Sequence, residues 1–422
     1  MTNSGNSWWQ QPGALERWLE DFFSDALRRR GKSELLQDEQ ALPSQLLSRY
    51  KELGFSSLDM LTLASRFAAC LGLNRTGLSD LLLARRSAAQ WCELARRSLE
   101  IDNSHLGFYS SGSSSSPTLS VHTLAKLQVE ADFFAQQLTS CRRVVCTVPQ
   151  HHIYGFIWGS LVPLALNVPC ISLNPLNSLP VSWSAQLLEH DVIVATPDIW
   201  QLILDLDVSL PEQFVAISST APLAPSVARQ LCARYPASTQ IAVYGSTETA
   251  GLAWRYWAQA DYQLLPWWSL SLRSGHASVS CEQFGEHHAL DDQIQLSSDG
   301  RFQLQGRLDN VVQIAGHNIN LSTLASQLRQ HPDVLDANTL YRFNKDHHEL
   351  HYFLSLREHP PNLQAWCLQF SVWLTQHMGD VPPPATVTVS ETLPTNTLNK
   401  PLYWDAHDYP TVTGIFKNAF NV

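Results

Sequence analysis

Apolar positions along the first hundred residues recur with a helical period. Leu15-Glu-Arg-Trp-Leu-Glu-Asp-Phe-Phe opens a stretch running to Arg30, apolar residues at 58, 61, 64, 67, 68 and 71 mark a second from Leu58 to Leu71, and Ser79 to Leu99 makes a third. Three amphipathic helices predict a small bundle over residues 1–100. From His105 to Gln305 the pattern changes to short apolar runs between helical stretches: Arg143 to Val148, Pro169 to Leu173, Val192 to Ala195, Phe214 to Ile217 and Ile241 to Val243. Such runs read as buried parallel strands, and their alternation with helices predicts an α/β domain over residues 105–305. Several runs end in small or polar residues, as the ligand edge of such a sheet demands: Thr196-Pro197, Ser218-Ser-Thr-Ala-Pro222 and Tyr244-Gly-Ser-Thr-Glu-Thr-Ala-Gly251. The alternation from Asp292 to Leu304 around Asp299-Gly300 predicts a hairpin. Residues 310–422 read as a small α+β region, with Pro382-Pro-Pro384 as a rigid connector.

Composition narrows the class. With 422 residues, 44% of them hydrophobic and including 14 Trp and 16 Phe, the chain can build two or three real cores. A net charge of -10 without a long Lys/Arg block argues against a nucleic-acid face. Eight scattered cysteines without a Cys-x-x-Cys pair, and an opening without a charged-then-apolar segment, point to reduced thiols and a cytoplasmic setting. Ile153 to Leu173 is uncharged and long enough to span a bilayer. Pro163, Asn167 and Pro169 interrupt it, so it reads as a buried helix followed by a core strand.

Candidate chemistry concentrates at Val243 to Gly251. Ser246, Thr247 and Thr249 offer hydroxyls, Gly245 lets backbone amides approach an anion, and Glu248 suits a hard cation such as Mg2+ beside phosphate oxygens. A strand-to-helix turn capped by Ser and Thr accounts for the same residues without a ligand. Paired His151-His152 invites a metal reading, but adjacent side chains ordinarily point apart, so a shared ion is not expected there. His347-His348-Glu-Leu-His351 has no supporting acid or cysteine framework.

Tyr244-Gly-Ser-Thr-Glu248 resembles the Tyr-Gly-x-Thr-Glu signature of the adenylate-forming (AMP-binding) ligases, the superfamily of acyl-CoA synthetases, aryl-acid ligases and peptide-synthetase adenylation domains. Three further segments fall in that family's order. Ser110-Ser-Gly-Ser-Ser-Ser-Ser-Pro117 resembles its phosphate loop, Gly306-Arg-Leu-Asp309 its hinge, and Leu393-Pro394 with Asn399-Lys400 its terminal lysine motif. The resemblance implies ATP-dependent, AMP-forming activation of an aryl or fatty carboxylic acid, followed by transfer to a thiol. It assigns catalytic roles to Lys400, Glu248 and Thr247, with Mg2+ on Glu248. Nucleotide binding falls to Ser110, Ser111, Gly112, Ser113, Ser114, Tyr244, Gly245, Asp292 and Arg307. His152, Phe156 and Ser219 line the acid's pocket, and the small domain rotates about Asp309. Ser115 and Thr118 replace the loop's second glycine and its lysine, and residues 105–305 are shorter than a full adenylation domain.

Glu52-Leu-Gly-Phe-Ser-Ser57-Leu58-Asp59 also resembles the modification site of acyl and peptidyl carrier proteins, with Ser57 at the serine that takes 4'-phosphopantetheine and Ser56 where an aspartate is usual. The implied architecture is a carrier-like helical bundle, a trimmed adenylating α/β domain and an α+β lid. Implied partners are ATP, a carboxylic acid, CoA or an acyl carrier protein in cis or in trans, and a phosphopantetheinyl transferase, in secondary metabolism. The other reading is a degenerate ligase that presents its carrier-like region as a scaffold in fatty-acid or polyketide-type synthesis.

Overall fold

The structure, a computed structural model, describes residues 7–28, 42–110, 118–173, 180–223, 225–273, 276–307, 311–314, 317–344, 347–358, 360–378, 381–390, 393 and 411–413. It divides into two compact units, one holding the chain up to Gln305 apart from residues 111–117, the other holding Gly306 onward.

The first unit opens with helices α1 (Ala14–Arg28), α2 (Leu42–Arg49), α3 (Ser57–Cys70), α4 (Leu73–Thr76) and α5 (Ala88–Ile101). The stretch expected as one helix from Ser79 to Leu99 is two elements, a 3-10 turn Ser79–Ala84 and then α5. Ser87 divides them: its backbone is extended, and its hydroxyl accepts the Gln90 N–H at 3.3 Å, so it caps a new helix instead of continuing the old one. At α3 the cap is Ser56, whose Oγ accepts from the Asp59 N–H at 3.2 Å while Asp59 Oδ2 accepts from the Ser56 N–H at 2.7 Å. Ser57 is the first helical residue and is exposed.

A hairpin of β1 (His105–Tyr109) and β2 (Leu119–Thr123) leads into α6 (Leu124–Ala135). Next come β3 (Arg143–Cys146), α7 (Ile153–Phe156), α8 (Val162–Leu166), β4 (Cys170–Ser172), β5 (Asp191–Ala195), α9 (Pro197–Asp205), β6 (Val215–Ser218), α10 (Pro225–Arg234), β7 (Thr239–Ser246), β8 (Ala250–Tyr256) and β9 (Gln263–Leu264). The strands form one sheet in the order β4-β3-β5-β6-β7-β8-β9. It is parallel as far as β7 and antiparallel beyond. Each of the five apolar runs became one of its parallel strands, and β5 is buried along its whole length, as a strand covered on both faces must be. Between α7 and α8 the helix widens to a π segment, Ile157–Leu161, just before Pro163, which has no N–H to give. Among the described residues no helix is long and apolar enough to cross a membrane.

The rest of this unit is antiparallel. β10 (Ser269–Arg273), β11 (His276–Cys281) and β12 (Glu286–Leu290) form one sheet, and β13 (Asp292–Leu296) pairs with β14 (Phe302–Arg307). The turn between the last two carries Gly300 at φ 84°, the left-handed conformation expected of Asp299-Gly300.

The boundary expected near residue 100 is absent. Trp18, Phe22 and Phe67 of α1 and α3 lie in one buried cluster with Phe108, Phe134, Trp158, Val192, Ile241 and Leu252. Trp8 meets Phe156 edge-to-face at 4.8 Å. The N-terminal helices pack on one another, Phe67 against Trp18, Phe22 and Trp91, and share their buried cluster with the α/β region, so the two form one core.

The second unit has its own core around Ile319, Leu328, Tyr352, Trp366, Phe370 and Val387. A hairpin of β15 (Val311–Ile314) and β16 (His317–Asn320) precedes α11 (Leu321–Leu328). Then come β17 (Val334–Asn344), β18 (His347–Leu356), α12 (Leu363–His377), β19 (Thr386–Ser390) and β20 (Thr411–Thr413), in a sheet ordered β17-β18-β19-β20. This is the α+β unit the sequence predicted.

Candidate functional site

The β7–β8 turn is closed by its own side chains. Thr249 Oγ1 accepts the Ser246 N–H at 3.1 Å, Ser246 Oγ accepts the Thr249 N–H at 3.3 Å, and Thr249 Oγ1 donates to the Ala250 carbonyl at 2.9 Å. Ser246 and Thr249 therefore shape the loop. Thr247, half-buried, and Glu248, exposed, stand at its tip. Gly245 is required for a reason other than an approaching anion: a Cβ there would fall 2.0 Å from the Ala250 carbonyl oxygen, where β7 and β8 close on each other.

Tyr244 and Asp292, 48 residues apart, meet directly, the Tyr244 hydroxyl donating to Asp292 Oδ2 at 2.7 Å. Tyr262 and Phe302 pack against the Tyr244 ring at 5.9 and 6.1 Å. A phenol and a carboxylate held together beside a hydroxyl loop can bind a sugar diol and an aromatic base. Thr247 and Glu248 supply the hard oxygen donors that Mg2+ takes, so the residues present fit that ion.

β2 and helix α6 hold the loop from behind through residues the sequence did not single out. His122 Nε2 donates to the Thr247 carbonyl at 2.7 Å, and since a carbonyl only accepts, the bare nitrogen is Nδ1, which faces Lys126 Nζ at 3.4 Å. Lys126 is buried, bonds Glu286 Oε2 at 2.5 Å and sits over the Trp268 ring at 5.2 Å. Glu130, also buried, accepts the Gly251 N–H at 2.8 Å, and a Cβ on Gly251 would fall 2.4 Å from its carboxylate. Burial, with help from Lys126, lowers the His122 pKa to about 4, keeping the ring neutral. Burial raises Glu130 to about 7 against the pull of the Gly251 N–H and Lys126. Burial also acts to raise Glu286, but the bond and charge of Lys126 and the bond of His288 leave it below its ordinary value. The available signal was spacing: Lys126 and Glu130 stand four residues apart on α6, and His122, four residues before Lys126, sits in the strand that leads into it.

The remaining predicted residues divide. Ser110 accepts the Thr118 N–H on its hydroxyl at 3.1 Å and donates its own N–H to the Thr118 carbonyl at 2.8 Å, pinching the base of the serine loop. Ser111, Gly112, Ser113, Ser114, Asp309 and Lys400 lie outside the described residues, as does the side chain of Arg307, the last residue of β14. Phe156, expected against the acid, is fully buried between Trp8 and Phe108, and its ring belongs to the core. Ser219, just past the end of β6, donates to the Val243 carbonyl of β7 at 2.7 Å. His152 is half-buried at the head of α7. Its ring lies 4.1 Å from that of His151, so the two histidines converge where divergence was expected.

The AMP-binding enzyme family matches residues 67–272, a span that crosses the expected boundary at residue 100. A 4-coumarate–CoA ligase from Cereibacter sphaeroides is 34% identical over 301 residues, which are 70% of this chain and 71% of that protein. The chain belongs to the AMP-binding enzyme family. A 4-coumarate–CoA ligase from Halorhodospira halophila is 28% identical across 82% of this chain and 86% of its own. Among solved structures, an amide bond synthetase from Marinactinospora thermotolerans superposes with a TM-score of 0.59 at 15% identity, covering 88% of this chain and 93% of its own. A double mutant of o-succinylbenzoate CoA synthetase from Bacillus subtilis does so with 0.58 at 16%, covering 70% and 67%. These structural likenesses show the adenylate-forming ligase fold. The family membership makes the protein an AMP-forming acid–CoA ligase that uses ATP and CoA.

Proposed function

We propose that the acid is an aryl carboxylate of the hydroxycinnamate class, activated as its adenylate and passed to the thiol of CoA. The observation that carries the reading is the run of 4-coumarate–CoA ligases at 28 to 34% identity across 70 to 82% of the chain. In this reading Tyr244 and Asp292 receive the adenosine, with Arg307 as a second partner for the ribose. Thr247 orients phosphate oxygens, and Mg2+ on Glu248 neutralises part of the triphosphate charge. Lys400, by its place in the terminal motif, supplies a point charge to the α-phosphate and the attacking carboxylate. Serine-loop amides take the β- and γ-phosphates with one cation fewer than usual, since Thr118 stands where the family has lysine.

Free CoA is the favoured acceptor over a phosphopantetheine on Ser57. Supporting this, α3 contributes Phe67 and Ala68 to the main core, so Ser57 sits on a packed element and not on a swinging domain. Pyrophosphate release measured with 4-coumarate, benzoate and medium-chain fatty acids tests the proposal. The expected result is turnover highest with 4-coumarate and dependent on Mg2+, with Lys400→Ala abolishing adenylate formation while ATP still binds. A fatty acid outpacing every aryl acid would refute the substrate class. A gain of about 340 Da on Ser57 after treatment with CoA and a phosphopantetheinyl transferase would restore loading in cis.

A further inference from the structure

Helix α1 meets the turn that enters α7 through two acids and an aromatic wall. Asp21 and Asp25 lie one helical turn apart. Asp21 Oδ2 accepts the Gln150 N–H at 2.7 Å, and Asp25 Oδ2 lies 3.7 Å from His151 Nε2. His151 is buried, edge-on to Trp18 at 6.3 Å and to Phe22 at 6.1 Å between ring centroids. His152, the residue before α7, is extended at φ -94° and ψ 150°, and its ring folds back to 4.1 Å from His151 at an interplanar angle of 39°. One donor atom from each of Asp25, His151 and His152 lies within 4.8 Å of the others, and among the described residues no other group of three does so.

We propose that Asp25, His151 and His152 bind a transition-metal ion of the zinc class. The donor set is two imidazole nitrogens and one carboxylate oxygen, the three-ligand set that leaves a fourth tetrahedral position for water. Tetrahedral donors roughly 2.1 Å from zinc stand about 3.4 Å from each other. Asp25 Oδ2 and His151 Nε2, 3.7 Å apart, already stand near that separation, and with all three donors within 4.8 Å of one another the ion has only to draw the set closer. The aromatic wall already holds His151 in place, which removes part of the ordering cost of binding. Two carboxylates, Asp21 and Asp25, face this turn from α1, with Arg17 one turn away, so a dication enters a region of net negative charge. Mg2+ and Ca2+ prefer six or more oxygens and are poorly served by two nitrogens, so this site is chemically separate from the Mg2+ position at Glu248. Asp25 and His152 are both half-buried, leaving a path for the ion. Bound metal ties α1 to the 149–152 turn and stabilises the folded chain by mass action.

The test uses the full chain, stripped of metal by a chelator and titrated with Co2+. The expected result is one equivalent bound with the visible ligand-field bands of four-coordinate cobalt, displaced by Zn2+ but not by Mg2+, and a rise in melting temperature with Zn2+. Asp25→Asn keeps the side-chain shape and His152→Gln removes an imidazole from a half-buried position. Each should weaken cobalt binding at least about tenfold while far-ultraviolet circular dichroism stays that of the wild type. A six-coordinate cobalt spectrum, or undiminished binding in both variants, would overturn the proposal and leave a histidine pair with a plain ionic partner.

Discussion

Tyr244 and Glu248 lie four residues apart on one strand and turn yet carry different work. The Tyr244 hydroxyl bonds Asp292 and positions a carboxylate, while Glu248 is exposed at the loop tip. Tyr244→Phe removes one hydrogen bond worth about 1 kcal/mol, so the KM for ATP should rise roughly fivefold with kcat little changed. An unchanged KM would show that Asp292 does not depend on that hydroxyl for nucleotide binding. Glu248→Gln keeps the shape but loses the charge that suits Mg2+. Pyrophosphate release should fall on the order of a hundredfold and recover in part at high Mg2+. Loss without any such recovery would speak against a metal on this residue.

Helix α6 and the residues flanking it place opposite pH dependences behind one loop. His122, held near 4 and ordinarily titrating near 6.5, costs stability as pH falls from about 6.5 to 4, because the unfolded chain takes up the proton first. Glu130, held near 7 and ordinarily near 4.5, costs stability as pH rises from about 4.5 to 7, because the unfolded chain releases its proton first. The two slopes oppose each other between about 4.5 and 6.5, and Glu130 alone acts just above that window. Glu130→Gln keeps an acceptor for the Gly251 N–H and removes the second slope. Between pH 5 and pH 8 urea unfolding should then show the variant gaining stability through the remaining His122 slope while the wild type, whose two slopes nearly cancel, changes little, a difference on the order of 2–3 kcal/mol. Identical slopes for variant and wild type would mean that Glu130 is ionised in the fold.

Across the whole molecule, the N-terminal helices and the α/β sheet share one core. Trp18→Ala should cost about 3–5 kcal/mol and lower a single cooperative transition for the first unit, read by tryptophan fluorescence in denaturant. Residues 1–104 expressed alone should lack a stable fold by circular dichroism, since Trp8 packs on Phe156 and Trp18 and Phe22 on His151, all beyond them. An independently folded fragment would revive the carrier-like domain. The second unit takes up the chain from Gly306 and has its own core. Asp309→Pro should slow thioester formation more than adenylate formation, and equal slowing of both steps would count against a hinge there.

The sequence by itself determined the family, the five parallel strands, the Asp299-Gly300 hairpin and the hydroxyl-and-acid loop. Each of these is written in local pattern: apolar runs bounded by turn residues, or short motifs in a set order. It misread the N-terminal helices because a helix's period shows that one face is buried without showing against what, and Trp18 and Phe67 serve a bundle and a shared core equally well. Phe156 and Ser219 stood in segments similar to pocket motifs, yet only the fold shows that their partners are Trp8, Phe108 and the Val243 carbonyl. His122, Lys126, Glu130 and Glu286 meet across as many as 160 residues, and Asp25 reaches His151 across 126. Partners that far apart leave no local period. Burial and pairing, which set their charge states and join them into sites, exist only once the chain has closed on itself.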